Sequence, residues 1–398
     1  MNTIMKNQLK ILMVVLSHYP NDPRVRREAE ALVEAGHKVD IICLRGPNEV
    51  EEEFCSGVKV NRIMESKGKE KIIQYVMFSA HFFWKSMRYV NMLNSRNHYN
   101  LIQVHNMPDY LVFTTLRQKL QGIPVILDLH DIMKELFKSV WNKGIKKIFL
   151  PFIVLTEKVS WNYADALITT SQGFKQCLIK RGVNEEDITL ILNTADLKIF
   201  NNPKTQWQQK IMNPKLLYHG TVAERFGIHI AVQSVSLLKE KFPEIQFNIY
   251  GNYQPSYKEK LKKFIDENRL EKNVFLHDFV SLEKIREIIR DSDFGVVPYL
   301  SDNFMDLALS TKTFEYVAMH LPVITSDIPS IRSIFNDDQV YFFKQGDAGN
   351  LAELINNLII NFDGIKQKVI NASRVYEQIS WQNMSKKYVN LVERYSHI

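Results

Sequence analysis

The chain predicts an α/β protein made of two tandem, doubly wound parallel-sheet domains. Three observations predict it. Short β-rich apolar runs alternate with amphipathic helical stretches, the pattern of parallel strands covered by helices on both faces. A polar stretch without periodicity interrupts that alternation once, at 196–213. The length, 398 residues, suits two or three domains.

In the first series the strand candidates are KILMVVL (10–16), 38–44, 58–63, LIQVH (101–105), 124–129, 165–170 and 188–193. Helical stretches at 23–36, 71–95, 108–121 and 171–181 separate them. The helix at 23–36 has Asp22 as its cap and Pro23 in its first position. Val25, Ala29, Leu32 and Val33 form its apolar stripe. Arg24, Arg26 and Arg27 crowd a first turn that the helix dipole would rather leave to acids. Pairs at i,i+4 (Arg24–Glu28, Arg26–Glu30) and i,i+3 (Arg27–Glu30) account for Arg26 and Arg27 at the surface. Arg24 is nearest the loop after the first strand and is a candidate cleft residue, beside His18.

After 196–213, which reads as a linker, strands are expected at 215–220, 245–251, 273–278, 293–299, 321–327 and 339–343. Helices are expected at 228–241, 256–268, 282–290 and 311–319, and the chain from 347 onward is mostly helical. Both series are Rossmann-like. A cleft is expected between them, with ligand at the carboxyl ends of the strands.

Composition narrows the function. The net charge of +7 favours anionic partners without the extreme of a nucleic-acid tail. Three cysteines without CxxC speak against a disulfide framework or zinc site and suit a reducing cytosol. The first apolar run ends in His18 and Asn21-Asp22, so it reads as a buried strand rather than a signal peptide. IFLPFIVL at 148–155 is far shorter than a bilayer span. No GxG, Walker A or HExxH occurs. Asp291-Ser292-Asp293 spells DxD but reads as a helix-to-strand turn.

Three stretches carry candidate chemistry. Ser310, Thr311, Lys312 and Thr313 head a helix whose first N–H groups can hold an anion. Lys312 adds charge there, and Glu315 one turn on can accept from a ribose. The alternatives are a solvated lysine and a glutamate that serves the dipole. In Tyr218-His219-Gly220-Thr221, Gly220 permits close backbone approach, and Arg225 follows where a diphosphate would lie or as a surface residue. In the first domain, His130 after Asp128-Leu129 and His105 before Asn106 end neighbouring strands, at the cleft or in structural roles.

Together these residues resemble the family-4 retaining glycosyltransferases of GT-B fold, of the bacterial cell-surface polysaccharide type. The resemblance rests on NDPRVRREAEALVEAGHKV, DLHD at 128–131, HGTVAERFG at 219–227, KTFEYVAMHLPVITSD at 312–327 and a late ISWQNMSKKY. It implies domains at 1–195 (acceptor side) and 214–378 (nucleotide sugar), and a last helix, 379–398, that crosses back to the first. It further implies Glu315 on the ribose, Lys312 or Arg225 at the diphosphate, and His130 at the transferred sugar. The base would lie against Phe279, Val280 and Leu282. The family often has a glutamate eight positions before Glu315, where this chain has Leu307. Asp306 lies one residue out of register and is a candidate replacement. Thr221 and Phe226 stand at the family's basic pair, with Arg225 displaced by one.

The expected reaction is metal-independent transfer of a sugar from a nucleoside-diphosphate sugar, with retention and without a protein nucleophile. No cofactor beyond that co-substrate and no nucleic acid is expected. The acceptor is a carbohydrate or lipid-linked hydroxyl. Lysines mixed with apolar residues at 67–90 and 142–159 suit either a peripheral membrane contact or wet faces of core helices. A cytoplasmic place at the inner membrane face follows. A silent GT-B scaffold or sugar-binding partner subunit, and a nucleotide-sugar epimerase, are the competing readings.

Overall fold

The computed structural model describes residues 8–65, 72–140, 143–201, 203, 213–361 and 364–396. The lysine cluster at 67–71 and most of the 196–213 linker lie outside them, as do the side chains of Lys143, Lys146 and Lys147. The chain divides into two units: Met1–Leu192 with Gln382–Ile398, and Asn193–Trp381.

The first unit runs β1 (Lys10–His18), α1 (Pro23–Glu34), β2 (Lys38–Arg45), β3 (Glu52–Cys55), β4 (Val58–Glu65), α2 (Ile72–Asn97) and β5 (Leu101–His105). A 3-10 turn (Asp109–Thr115), α3 (Leu116–Leu120), β6 (Val125–Leu129), α4 (Met133–Val140) and α5 (Lys143–Tyr163) follow, then β7 (Ala166–Thr169), α6 (Gln172–Lys180) and β8 (Ile188–Leu190). The sheet order is β3-β4-β2-β1-β5-β6-β7-β8, with β3–β4 antiparallel and the other pairs parallel. The order reverses between β1 and β5, the kind of switch point beyond whose strand ends open α/β sheets bind ligands.

The second unit runs β9 (Lys215–His219), α7 (Ile228–Leu238), β10 (Gln246–Tyr250), α8 (Pro255–Glu267), β11 (Val274–His277), α9 (Leu282–Asp291) and β12 (Phe294–Val297). It continues with α10 (Thr311–Ala318), β13 (Val323–Ser326), α11 (Pro329–Arg332), β14 (Tyr341–Phe343), α12 (Ala348–Ile360) and α13 (Ile365–Ile379). Its sheet, β11-β10-β9-β12-β13-β14, is parallel and reverses between β9 and β12. The last helix, α14 (Trp381–Ser396), belongs almost wholly to the first unit, where the Tyr388 hydroxyl donates to Gln103 at 2.7 Å and Glu393 meets His37 at 3.1 Å.

Central strands are apolar because helices cover both faces. Gln103 and His105 in β5 are fully buried exceptions, and their partners describe the site below. Among the described residues no helix is long and apolar enough to cross a membrane.

Three expectations change. β3 is a short edge strand that its charged sequence, EEFC, conceals. The helix expected at 108–121 is a 3-10 turn followed by five residues of α3, because Thr114 and Thr115 hydroxyls bond the carbonyls three residues back. The pair Arg24–Glu28 does not form: Asp22 takes Arg24, Gln103 takes Glu28, and Arg27 is buried rather than superficial.

Candidate active site

In the first unit, three strand ends bring polar side chains into the core. His105 closes β5, Asp128 lies in β6, and His130 follows it. The Asp128 Oδ2 sits 2.8 Å from His105 Nδ1 and 3.1 Å from His130 Nε2, and the two nitrogens are 3.3 Å apart. Their rings stack with centroids 5.4 Å apart. Glu28 reaches in from α1, 4.0 Å from His105 Nδ1, and accepts from Gln103 Nε2 at 2.6 Å. The chain Tyr388–Gln103–Glu28 thereby ties α14 to the cluster.

Burial governs the charges. It pushes Glu28 up to about 8 and Asp128 up to about 7, and it lowers both imidazoles. The Arg24 charge depresses His130 further. Neutral imidazoles donating to the Asp128 carboxylate leave His130 Nδ1 and His105 Nε2 as buried acceptors without a partner. His105 Nδ1, Asp128 Oδ2 and His130 Nε2 also lie close enough together to take one metal ion; among the described residues no other such group occurs.

Arg24 and Asp22 form a two-pronged pair, Nε and Nη2 each 3.0 Å from a carboxylate oxygen. Although burial raises the Asp22 carboxyl, the bond and charge of Arg24 hold it well below the usual range. Both charges act on His130. So Arg24 joins the strand-end group, but as half of an ion pair. His18 is the half-buried last residue of β1, and no hydrogen bond or ion pair joins its side chain to the cluster.

In the second unit, Lys312 is only 8% exposed. Its Nζ lies 2.5 Å from the Tyr299 hydroxyl and over the rings of Tyr299, Tyr218 and Phe226 at 5.0, 5.1 and 5.7 Å. Among the described residues no carboxylate pairs with it. Gly220 makes the approach possible: at φ +111° it holds a conformation other residues avoid, and a Cβ there would stand 3.2 Å from Lys312 Cε. Gly227, at φ +64°, is tighter still, since a Cβ would overlap the Pro298 carbonyl at 1.8 Å. Ser310 precedes α10 without capping it; its hydroxyl bonds Tyr299 at 3.3 Å. Thr311 is half-buried, and the buried Thr313 Oγ1 has no partner.

Glu315, one turn into α10, lies 3.0 Å from His219 Nε2 at the end of β9. The contact is out of line for a hydrogen bond, so Glu315 Oε2 and His219 Nε2 both remain buried acceptor and donor sites without a partner. Arg225 lies 3.5 Å from Asp302 and 5.0 Å over Phe304, and its Nε is unpartnered. Asp306 accepts from Ser301 at 2.7 Å and keeps Oδ1 buried without a partner. Thr221 is exposed, its carbonyl taken by the Tyr218 hydroxyl at 2.7 Å. Phe279, 62% exposed, and Val280 lie in the loop after β11, and Leu282 opens α9. Among the described residues no hydrogen bond, ion pair or ring contact joins that loop to Lys312. Asp293 accepts from the Lys215 amide at 2.9 Å, so the DxD stretch is a turn that joins α9 to β12.

Tyr299, His219, Glu28 and Gln103 are not among the residues that the sequence points to: the first two sit at or just after strand ends, and the last two meet partners distant in the chain.

Two family models match. Residues 24–199 match "Glycosyltransferase Family 4" and residues 213–361 match "Glycosyl transferases group 1". An uncharacterized glycosyltransferase of Methanocaldococcus jannaschii is 21% identical over 387 residues, 91% of each chain. The poly(ribitol-phosphate) alpha-N-acetylglucosaminyltransferase of Staphylococcus aureus is 26% identical over 215 residues, 52% of this chain and 41% of that one. Among solved structures, sucrose-phosphate synthase of Thermosynechococcus elongatus matches with a TM-score of 0.74 at 17% identity, over 97% of this chain and 99% of that one. HepE of Anabaena in complex with UDP matches with 0.70 at 14% identity, over 97% and 100%. The structural likenesses show the fold.

Proposed function

The chain belongs to the family-4 glycosyltransferases of GT-B fold, and we propose from that premise that it moves a sugar from a nucleoside-diphosphate sugar to an acceptor hydroxyl with retention. The observation that carries the proposal is Lys312: a buried ammonium with no carboxylate partner among the described residues. Burying an unpaired charge costs several kcal/mol, and such residues concentrate at functional sites. A diphosphate supplies the missing anion. HepE, of the same fold, is solved with UDP.

In this reading Lys312, Arg225 and the N–H groups that open α10 stabilise the departing diphosphate, charge met by preorganised charge. Glu315 accepts from the ribose hydroxyls. The base lies against Phe279 to Leu282. His130 Nδ1, an acceptor whose tautomer Asp128 sets, accepts a hydrogen bond from a hydroxyl of the transferred sugar. The bond from the anomeric carbon to the β-phosphate oxygen breaks. The acceptor oxygen bonds to the same face of that carbon, and its proton passes to the leaving phosphate. No protein nucleophile and no cofactor beyond the nucleotide sugar enters. The setting is cell-surface polysaccharide or glycolipid assembly on the cytoplasmic side of the membrane.

A scan of nucleotide sugars for hydrolysis and transfer, with anomeric configuration read by NMR, tests this. One donor turned over with retention is expected. Silence with every donor would leave the scaffold reading, and inversion of the sugar on the intact nucleotide would leave the epimerase.

A further inference from the structure

A concave apolar pocket of about 480 Å³ lies in the first unit between α2, the 3-10 turn, α4 and α5. Its walls include Val76, Tyr110, Met133, Phe137, Phe152 and Ile153. The volume falls within the usual range for small-molecule sites, about 300–1,000 Å³. Two rim residues are open to solvent, Val76 at 49% and Phe152 at 62%, next to exposed Met77 and Leu155. Soluble monomers seldom leave apolar patches so concentrated without a use for them.

The polar groups in these walls are already spent. Tyr110 donates to Ser79 at 2.7 Å, Ser79 donates to the Val76 carbonyl at 3.0 Å, and Thr156 donates to the Phe152 carbonyl at 2.7 Å. Asp109 accepts from Asn106 at 3.0 Å and Trp161 at 3.3 Å. Glu157 accepts from the Lys134 amide at 2.8 Å and from Arg181 at 3.1 Å. A sugar or a hydrated peptide would find hydrocarbon there and little hydrogen bonding. A hydrocarbon chain asks for nothing else.

The Asn106 side chain that holds Asp109, a lining residue, also accepts from the His130 amide at 2.9 Å. One wall of the pocket is thereby tied to the His130 turn through a single side chain. Helix α4 carries Lys134 and Lys138, adjacent in sequence to the lining residues Met133 and Phe137. Those cations complement an anionic head.

We infer that this pocket holds one hydrocarbon chain of an anionic, phosphate-bearing lipid acceptor. The identity as acceptor rests on the transferase reading above. A hole favours a single chain over a bilayer surface, which would be met by a convex face.

The test uses the full chain and farnesyl phosphate as probe, followed by equilibrium dialysis. Saturable binding is expected, without competition from inorganic phosphate at equal concentration. Ile153→Trp fills the pocket, and Phe152→Glu charges its rim at an exposed position. Each is expected to weaken binding at least tenfold while melting temperature and nucleoside-diphosphate binding stay put. Phosphate competition, indifference to both variants, or association only with dioleoylphosphatidylglycerol vesicles would overturn the inference. Nucleotide binding without farnesyl phosphate binding sinks the pocket alone; the reverse sinks the transferase reading and leaves the chain site.

Discussion

The ammonium of Lys312 stands 2.5 Å from the phenol oxygen of Tyr299, and among the described residues no carboxylate shares that contact. Three aromatic rings surround the same nitrogen within 5.7 Å. Ring faces and a phenol soften the burial of a cation but do not neutralise it. In the proposed function the donor diphosphate supplies the anion that this nitrogen lacks among the described residues.

Stability and function should therefore separate at this residue. Lys312→Met keeps the aliphatic stem and removes the charge. Folding stability is expected to stay level or rise, by roughly 1 kcal/mol, while donor turnover falls by about 10²–10³. Urea denaturation and a transfer assay, run on the same preparations, check both halves. A variant that unfolds as easily as it loses activity would make Lys312 structural.

His130 predicts a different split. Its cluster lies in the first unit, and the residues proposed for the diphosphate lie in the second. His130→Ala is expected to lower transfer by about 10² or more, with the affinity for nucleoside diphosphate changed less than about threefold. Steady-state kinetics beside calorimetric nucleotide binding make the comparison. Equal losses in both would place His130 in general folding.

The buried carboxyls predict a pH dependence of stability. Burial raises Glu28 to about 8 and Asp128 to about 7, so the folded chain holds these protons more tightly than the unfolded one. Their stabilising contribution is fully present below about pH 4 and is lost as pH rises through 7 to 8. Asp22 works the other way: Arg24 depresses it, so its contribution is present above about pH 4 and is lost on acidification. Glu28→Gln removes the first effect at one site. Relative to wild type it should gain on the order of 1–3 kcal/mol between about pH 5 and pH 8.5. Denaturation at both pH values measures it, and parallel curves would show that Glu28 stays ionised in the fold.

Chelation addresses the one group among the described residues able to hold an ion, His105, Asp128 and His130. The protein's own cations are assigned to the diphosphate, so dialysis against EDTA should leave transfer within about twofold. Loss of activity on chelation, restored by manganese or zinc, would transfer that role to a metal.

Much of this was legible in the sequence. β5 stands at Leu101–His105 as its apolar run and closing histidine indicate, and α1 starts at Pro23 behind the Asp22 cap. Strand ends also point to His130 and Gly220, and a helix start points to Lys312. Local rules failed where tertiary partners outbid sequence neighbours. Glu28 sits four residues from Arg24, yet Gln103, 75 residues away, holds it. Charge hid the strand Glu52–Cys55, because an exposed edge needs no apolar run. Tyr299 follows a clear strand, but nothing along the chain says its hydroxyl meets Lys312.

The most direct measurement is calorimetric titration of UDP, GDP and ADP, with the matching monophosphates, into wild type and Lys312→Met. The account predicts that one diphosphate binds at least tenfold more tightly than its monophosphate, and that the variant abolishes this preference. No binding of any diphosphate, or an equal preference in the variant, would contradict it.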